Sequence, residues 1–208
     1  DAVLAMDDAM LASAQATLQK DPAAAAVLMF RQNAQQALQT LDSAIAKVNQ
    51  AHDTLIFTPE LSAALRNLDA LASRPEHVEW LGRRLNAAGQ HNFQQLLQVA
   101  AKQASGASPM SSVMASAVAE MKRRDIAVKA ENFTREVIYP SLYRPGQTDA
   151  NVDLLQRAAA DLAKTTTPAA FNRVLDEIIR HYGARNKPWS KPFSSTTVEM
   201  AKAWRIPV

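Results

Sequence analysis

The chain is 208 residues long, 48% apolar and 21% charged, with five glycines and no cysteine. That length and apolar share allow a real core and exclude intrinsic disorder, while the lack of cysteine excludes disulfides, thiolate nucleophiles and Cys-based zinc sites. The formal net charge is +3 and sits unevenly: residues 1–104 carry eight Lys/Arg against ten Asp/Glu, and residues 105–208 carry fifteen against ten.

Few glycines, 6% aromatics and abundant Ala, Leu, Gln and Met lean the intrinsic preference to helix, so the predicted class is all-α. In chain order, Leu4, Leu11 and Leu18, with Val3, Met10 and Ala14, place one apolar stripe on a helix over about 2–19. Asp21 suits an N-cap and Pro22 the first helical position. From there Val27, Phe30, Ala34, Leu38, Leu41, Ile45 and Val48 recur at spacings of three and four with no Gly or Pro between them. This predicts one long helix over 22–51, about 45 Å in length, around which the other helices pack.

Residues 52–57 read as a connector whose Leu55, Ile56 and Phe57 close the bundle end. Helices follow over 59–72 (Leu61, Leu65, Leu68) and 75–88 (Val78, Leu81, Leu85), the second ended by Gly89. Asn92 is expected to cap a helix carrying Phe93, Leu96, Leu97 and Ala100. Thr58-Pro59, Arg74-Pro75, Ser108-Pro109 and Thr167-Pro168 repeat the start signal of Asp21-Pro22. A sub-boundary is expected at 105–109, where Gly106, a helix restart and the change in charge balance coincide.

Beyond it, Met110, Val113, Met114, Ala117, Val118 and Met121 form a methionine-rich stripe on a helix running toward Lys129, and Phe133, Val137 and Ile138 continue it until Pro140. Residues 139–148, with the Pro145-Gly146 turn, read as an irregular loop. Two amphipathic helices follow over 151–164 and 168–182, the second carrying Phe171, Val174, Leu175, Ile178, Ile179 and Tyr182 and stopping at Gly183. The expected architecture is a multi-helix bundle of about eight or nine helices over 1–183. A basic aromatic C-terminal arm over 184–208 follows it, extended at first and closed by a short helix from the Thr196/Glu199 capping box to Trp204.

The four histidines, His52, His77, His91 and His181, show no metal-ligand spacing, so no metal is expected. Glu76 and Glu79 flank His77, yet they lie in the first turn after Pro75, where carboxylates favour the helix dipole. The pairs Asp149/Asp153 and Asp176/Glu177 read as solvated helix faces rather than acid/base machinery. No phosphate-cradling glycine loop and no nucleophile elbow is present. Catalytic residues and cofactors are therefore not expected. The longest apolar run, 23–30, falls far short of the roughly 20 residues needed to cross a bilayer. The chain opens on Asp1 and reads as a processed form or a fragment, which leaves its compartment open between cytoplasm and secretion.

Two features point to a partner. Residues 180–208 carry six cations against Glu199 alone, interleaved with Trp189, Phe193 and Trp204, a combination suited to anchoring a protein or stacking on bases. The expected contact residues are Tyr139, Tyr143, Arg144, Trp189, Lys191, Phe193 and Trp204. A basic patch of Lys122, Arg123, Arg124 and Lys187 is the second feature, with Lys129 and Arg135 nearby. Ser105-Gly106-Ala107 between helices, followed by Thr167-Pro168-x-x-Phe171 opening a helix, resembles the layout of bacterial type III effectors that act as guanine nucleotide exchange factors on Rho GTPases. Their Gly-Ala-Gly-Ala loop core stands here as Gly106-Ala107-Ser108-Pro109, a departure on the functional residues. The expected function is a non-catalytic helical module that binds another protein, of bacterial secreted or effector type. The alternatives are nucleic-acid binding through the basic C-terminal half and an effector acting on a host GTPase.

Overall fold

The long helix forms where the stripe predicts it. In the computed structural model, which describes residues 2–103, 111–185 and 191–207 (backbone alone for 103, 183–185 and 191–195), it spans Pro22–Ala51, and the Asp21 carboxylate caps it by accepting from the Ala23 amide at 3.1 Å. Among the described residues the structure is all-α: α1 (Ala2–Ala5), α2 (Asp8–Leu18), α3 (Pro22–Ala51), α4 (Pro59–Leu71), α5 (Pro75–Leu85), α6 (His91–Gln103), α7 (Ser112–Phe133), a π-helical segment (Thr134–Ile138), α8 (Tyr139–Leu142), α9 (Asp149–Leu162), α10 (Pro168–Arg185) and α11 (Lys191–Ala203). The chain divides into two compact units, Asp1–Met121 and Lys122–Val208.

In the first unit Leu41 and Ile45 of α3 are fully inaccessible and cluster with Leu61, Leu68, Leu81, Leu85, Leu96 and Leu97. Met114 is buried among them and Met121 packs alongside, so both fill core. α5 and α7 approach closely at Gly82, where a Cβ would meet the Ser116 Oγ at 2.9 Å. Beside it the buried Asn86 amide donates to the carbonyls of Gly82 (2.9 Å) and Ala117 (2.8 Å), lacing the two helices together. The first turn of α7 is capped from α4, because Asp69 Oδ1 accepts from the Val113 amide at 3.2 Å and the Ser112 hydroxyl at 3.0 Å.

The second unit builds its core from Phe133, Ile138, Leu155, Phe171, Leu175, Ile178 and Tyr182. Its C-terminal residues are tied down: Asn172 donates to the Ile206 carbonyl at 2.7 Å and accepts from the Ile206 amide at 2.9 Å. Arg205 adds an ion pair to Asp176 at 3.3 Å.

Several expectations are corrected. The helix expected over 2–19 breaks at Met6, because the Asp7 carboxylate accepts from the Met10 amide at 2.7 Å and starts α2 afresh. In the connector Leu55 is buried, but Ile56 and Phe57 are exposed and do not close the bundle. Asn92 lies inside the first turn of α6, its amide turned to Asp42 Oδ1 at 2.9 Å. α5 ends at Leu85, and Gly89 takes φ 83° in the turn beyond it, a left-handed backbone that suits glycine. α10 runs through Gly183 to Arg185, since one glycine costs a helix only about 1 kcal/mol. The final helix begins at Lys191, five residues before the Thr196 box, with Pro192 in its first turn where a missing N–H is harmless.

Pro140 does not end the helical path. The π-helical segment precedes it, with the Tyr139 amide reaching back five residues to the Thr134 carbonyl, and Pro140 then falls at the start of α8. A proline there removes a donor that the widened turn does not use. The sub-boundary expected at 105–109 and the positions Met110, Lys187 and Trp189 lie outside the described residues.

Candidate functional site

In the second unit, Tyr139 opens α8 and is 52% exposed, and Tyr143, just past its end, is 87% exposed. An exposed tyrosine is the kind of side chain that anchors interfaces. The backbone beneath it is fixed by a buried polar network. Ser141 Oγ donates to the Val137 carbonyl at 2.6 Å and shares a 2.9 Å hydrogen bond with Thr197 Oγ1 of α11. Arg144 Nη1 donates to the same Thr197 oxygen at 3.0 Å.

Gln147 extends the network by donating to the Ser141 carbonyl and to the Tyr182 hydroxyl of α10. Gly146 turns the chain at φ 80°, and Thr148 caps α9 by accepting from the Asn151 amide at 3.2 Å. The stretch read as an irregular loop is thus bonded to α10 and α11 at several points. Tyr143 stands on a rigid base, which lowers the ordering cost of binding through it.

The other expected contact residues are placed differently. Trp204 is half-buried, its ring edge-on to Phe133 at 5.6 Å and 66°, so one face belongs to the core. Lys191 and Phe193 sit in the first turn of α11, with their side chains outside the described residues. Lys122, Arg123 and Arg124 are exposed on α7. As consecutive residues they fan out by about 100° each, so one ligand meets only part of the patch. Arg135 turns to Asn132 at 2.7 Å, and Lys129 lies 6.0 Å from the centre of the Phe171 ring. Among the described residues no group of three or more His, Asp or Glu side chains is placed to hold a metal ion.

Sequence reasoning missed a second constellation, in the first unit. Arg31 and Trp80 are buried, and Phe30 stacks on His77 with ring centres 3.7 Å apart and planes 9° from parallel. Trp80 meets Phe30 edge-on at 5.7 Å and carries the Arg84 guanidinium 4.8 Å from its ring centre. His77 is buried, and its Nδ1 has no hydrogen-bond partner. Burial holds the imidazole below its ordinary value of 6.5, and Arg74 pushes the same way, against a backbone bond with Leu71 and the charge of Glu76.

A base depressed in the fold but normal in the unfolded chain gives stability that is full above pH 6.5 and lost as pH falls from there toward the lower folded value. The urea midpoint should therefore drop between pH 7.5 and pH 5, and His77→Gln should flatten that drop. An unchanged pH dependence in His77→Gln would show that His77 does not carry it.

Comparison with known proteins gives a consistent picture. Residues 1–121 match the family described as ExoU toxin, middle helical domain, and residues 122–208 match ExoU toxin, C-terminal domain. The two matches meet where the structure divides into its two units. No curated protein matches. Among solved structures, the chain is similar to the type III effector protein ExoU at 70% identity and a TM-score of 0.90, over 100% of this chain and 38% of that one. It is similar to ExoU in complex with SpcU from the type III secretion system of Pseudomonas aeruginosa at 44% identity and a TM-score of 0.79, over 99% and 36%. A second ExoU–SpcU heterodimer gives 44%, 0.80, 100% and 35%. The chain thus spans little more than a third of the ExoU chains it matches. Their family is not the exchange-factor family that the 105–109 segment resembles.

Proposed function

Because the chain belongs to the ExoU toxin family, we propose that it acts as a non-catalytic helical module of a type III secreted effector and works by binding another protein. The observation that carries this reading is Tyr143, 87% exposed on a loop that hydrogen bonds hold to α10 and α11. Tyr139 and Arg144 flank it, and Trp204 and α11 brace the same unit. ExoU is bound to SpcU in two of the similar structures, which makes a SpcU-like chaperone the first partner to test.

Titration calorimetry of the full chain against such a chaperone is the experiment. If Tyr143 is an anchor, Tyr143→Ala should weaken binding by about 2 kcal/mol, roughly thirtyfold, while Lys122→Ala changes it little. Loss confined to Lys122→Ala, Arg123→Ala and Arg124→Ala would move the interface to the basic patch. Submicromolar binding to mixed-sequence DNA that collapses between about 50 and 200 mM salt would replace the protein-binding reading with the nucleic-acid one.

A further inference from the structure

The N-terminal turn of the first unit is held by a receptor far better built than the segment it holds. No residue of Ala2–Ala5 or of Asp8–Leu18 is buried. Its anchors Arg31 and Trp80 are 4% and 8% exposed. Arg31 Nη1 donates to the carbonyls of Val3 at 3.0 Å and Met6 at 2.7 Å, and Trp80 Nε1 donates to the Leu4 carbonyl at 3.0 Å. The Asp8 carboxylate then meets Arg31 at 2.7 Å and Arg84 at 3.5 Å.

Withdrawing a guanidinium from water costs several kcal/mol unless its donors find acceptors. Val3, Met6 and Asp8 of this strap supply acceptors to Arg31. Clefts of about 280, 590 and 240 Å³ run along the strap, lined among others by Trp80 with Arg84, by Leu4 with Arg83, and by Val3 with His77. The strap therefore fills its seat incompletely.

The donor set defines what the seat accepts. It reads main-chain carbonyls at the end of one helical turn and a single carboxylate. Leu4 is the side chain of the turn that packs on the core. Leu4 lies in α1 and Asp8 opens α2, on either side of the break at Met6 and Asp7. Arg31 and Arg84 match the aspartate in charge, while Glu76 and Glu79 in the same lining disfavour further acidic residues. We propose that the groove of Arg31, Trp80 and Arg84 is a docking site for a peptide of a partner protein: one helical turn with an apolar residue, then a break, and a single aspartate four residues after the apolar one. Residues 2–8 occupy that groove as an exchangeable resident.

The probe is a labelled peptide copying residues 2–8, blocked at both ends and followed by anisotropy on the full chain and on Asp8→Ala. Asp8→Ala takes the carboxylate from the buried Arg31 and so loosens the resident, and a thermal melt checks that the unit stays folded. The peptide should bind Asp8→Ala about tenfold more tightly than the unsubstituted chain, because apparent affinity scales with the fraction of chains whose groove the resident leaves free. Trp80→Phe in the Asp8→Ala background keeps a ring and removes one N–H, and it should weaken the peptide, as should Asp8→Asn within the peptide itself. Equal binding to the Trp80→Phe chain, or no binding to Asp8→Ala at about 1 mM peptide, overturns the proposal. So does an Asp8→Ala dimer that excess peptide fails to dissociate, which would assign the groove to a second copy of the chain.

Discussion

Leu41→Ala should lower the stability of the first unit by about 2–5 kcal/mol, measured by urea unfolding. Leu41 is fully inaccessible midway along α3, in one cluster with Leu61, Leu81 and Leu96 from three other helices. Truncation removes the transfer free energy of the lost carbons and leaves a cavity that four helices cannot all close upon. Ile45→Val, one methylene on the same stripe, should cost about 0.5–1.5 kcal/mol and gives the graded comparison. A change within about 0.5 kcal/mol for Leu41→Ala would mean that this face is not core.

Phe133→Ala should cost the second unit about 3–5 kcal/mol. The ring is fully buried, edge-on to Phe171 at 6.3 Å and to Trp204 at 5.6 Å, and such aromatic pairs add to the area term. Loss of the ring also leaves Trp204 without its neighbour, so Trp fluorescence should shift to the red below the unfolding transition. Phe133→Leu should cost clearly less, because most of the volume remains. Equal costs for the two variants would show that packing around position 133 is loose.

What was legible in the sequence follows the range of the forces involved. Asp21 before Pro22 and the three-four spacing from Val27 to Val48 act within a few residues, and they placed both ends of α3. Pro59, Pro75 and Pro168 opened helices for the same local reason. Arg31 was not legible, because its partners Val3, Met6 and Asp8 lie 23 to 28 residues away and only folding brings them to it. Within α3 it reads as one polar residue among Gln and Asn. Trp80 is hidden similarly, with its carbonyl acceptor 76 residues distant. Tyr143 and Arg144 stood out as an aromatic and a cation in a proline-glycine stretch, but the bonds through Ser141, Gln147 and Thr197 that stiffen that stretch left no local pattern.

The π-helical segment Thr134–Ile138 has an evolutionary reading. A single wide turn is what a helix becomes when one residue is inserted and the flanking turns refuse to shift, and each residue accounts for about 100° of rotation. Shortening the chain by one residue there would restore a regular spiral and swing everything after it around the axis. Ser141 would lose its place opposite Thr197, and Tyr139 would leave the solvent-facing side. Insertions and deletions are commonly tolerated in loops, yet at this segment a change of one residue falls inside continuous helix and is carried on to every turn that follows.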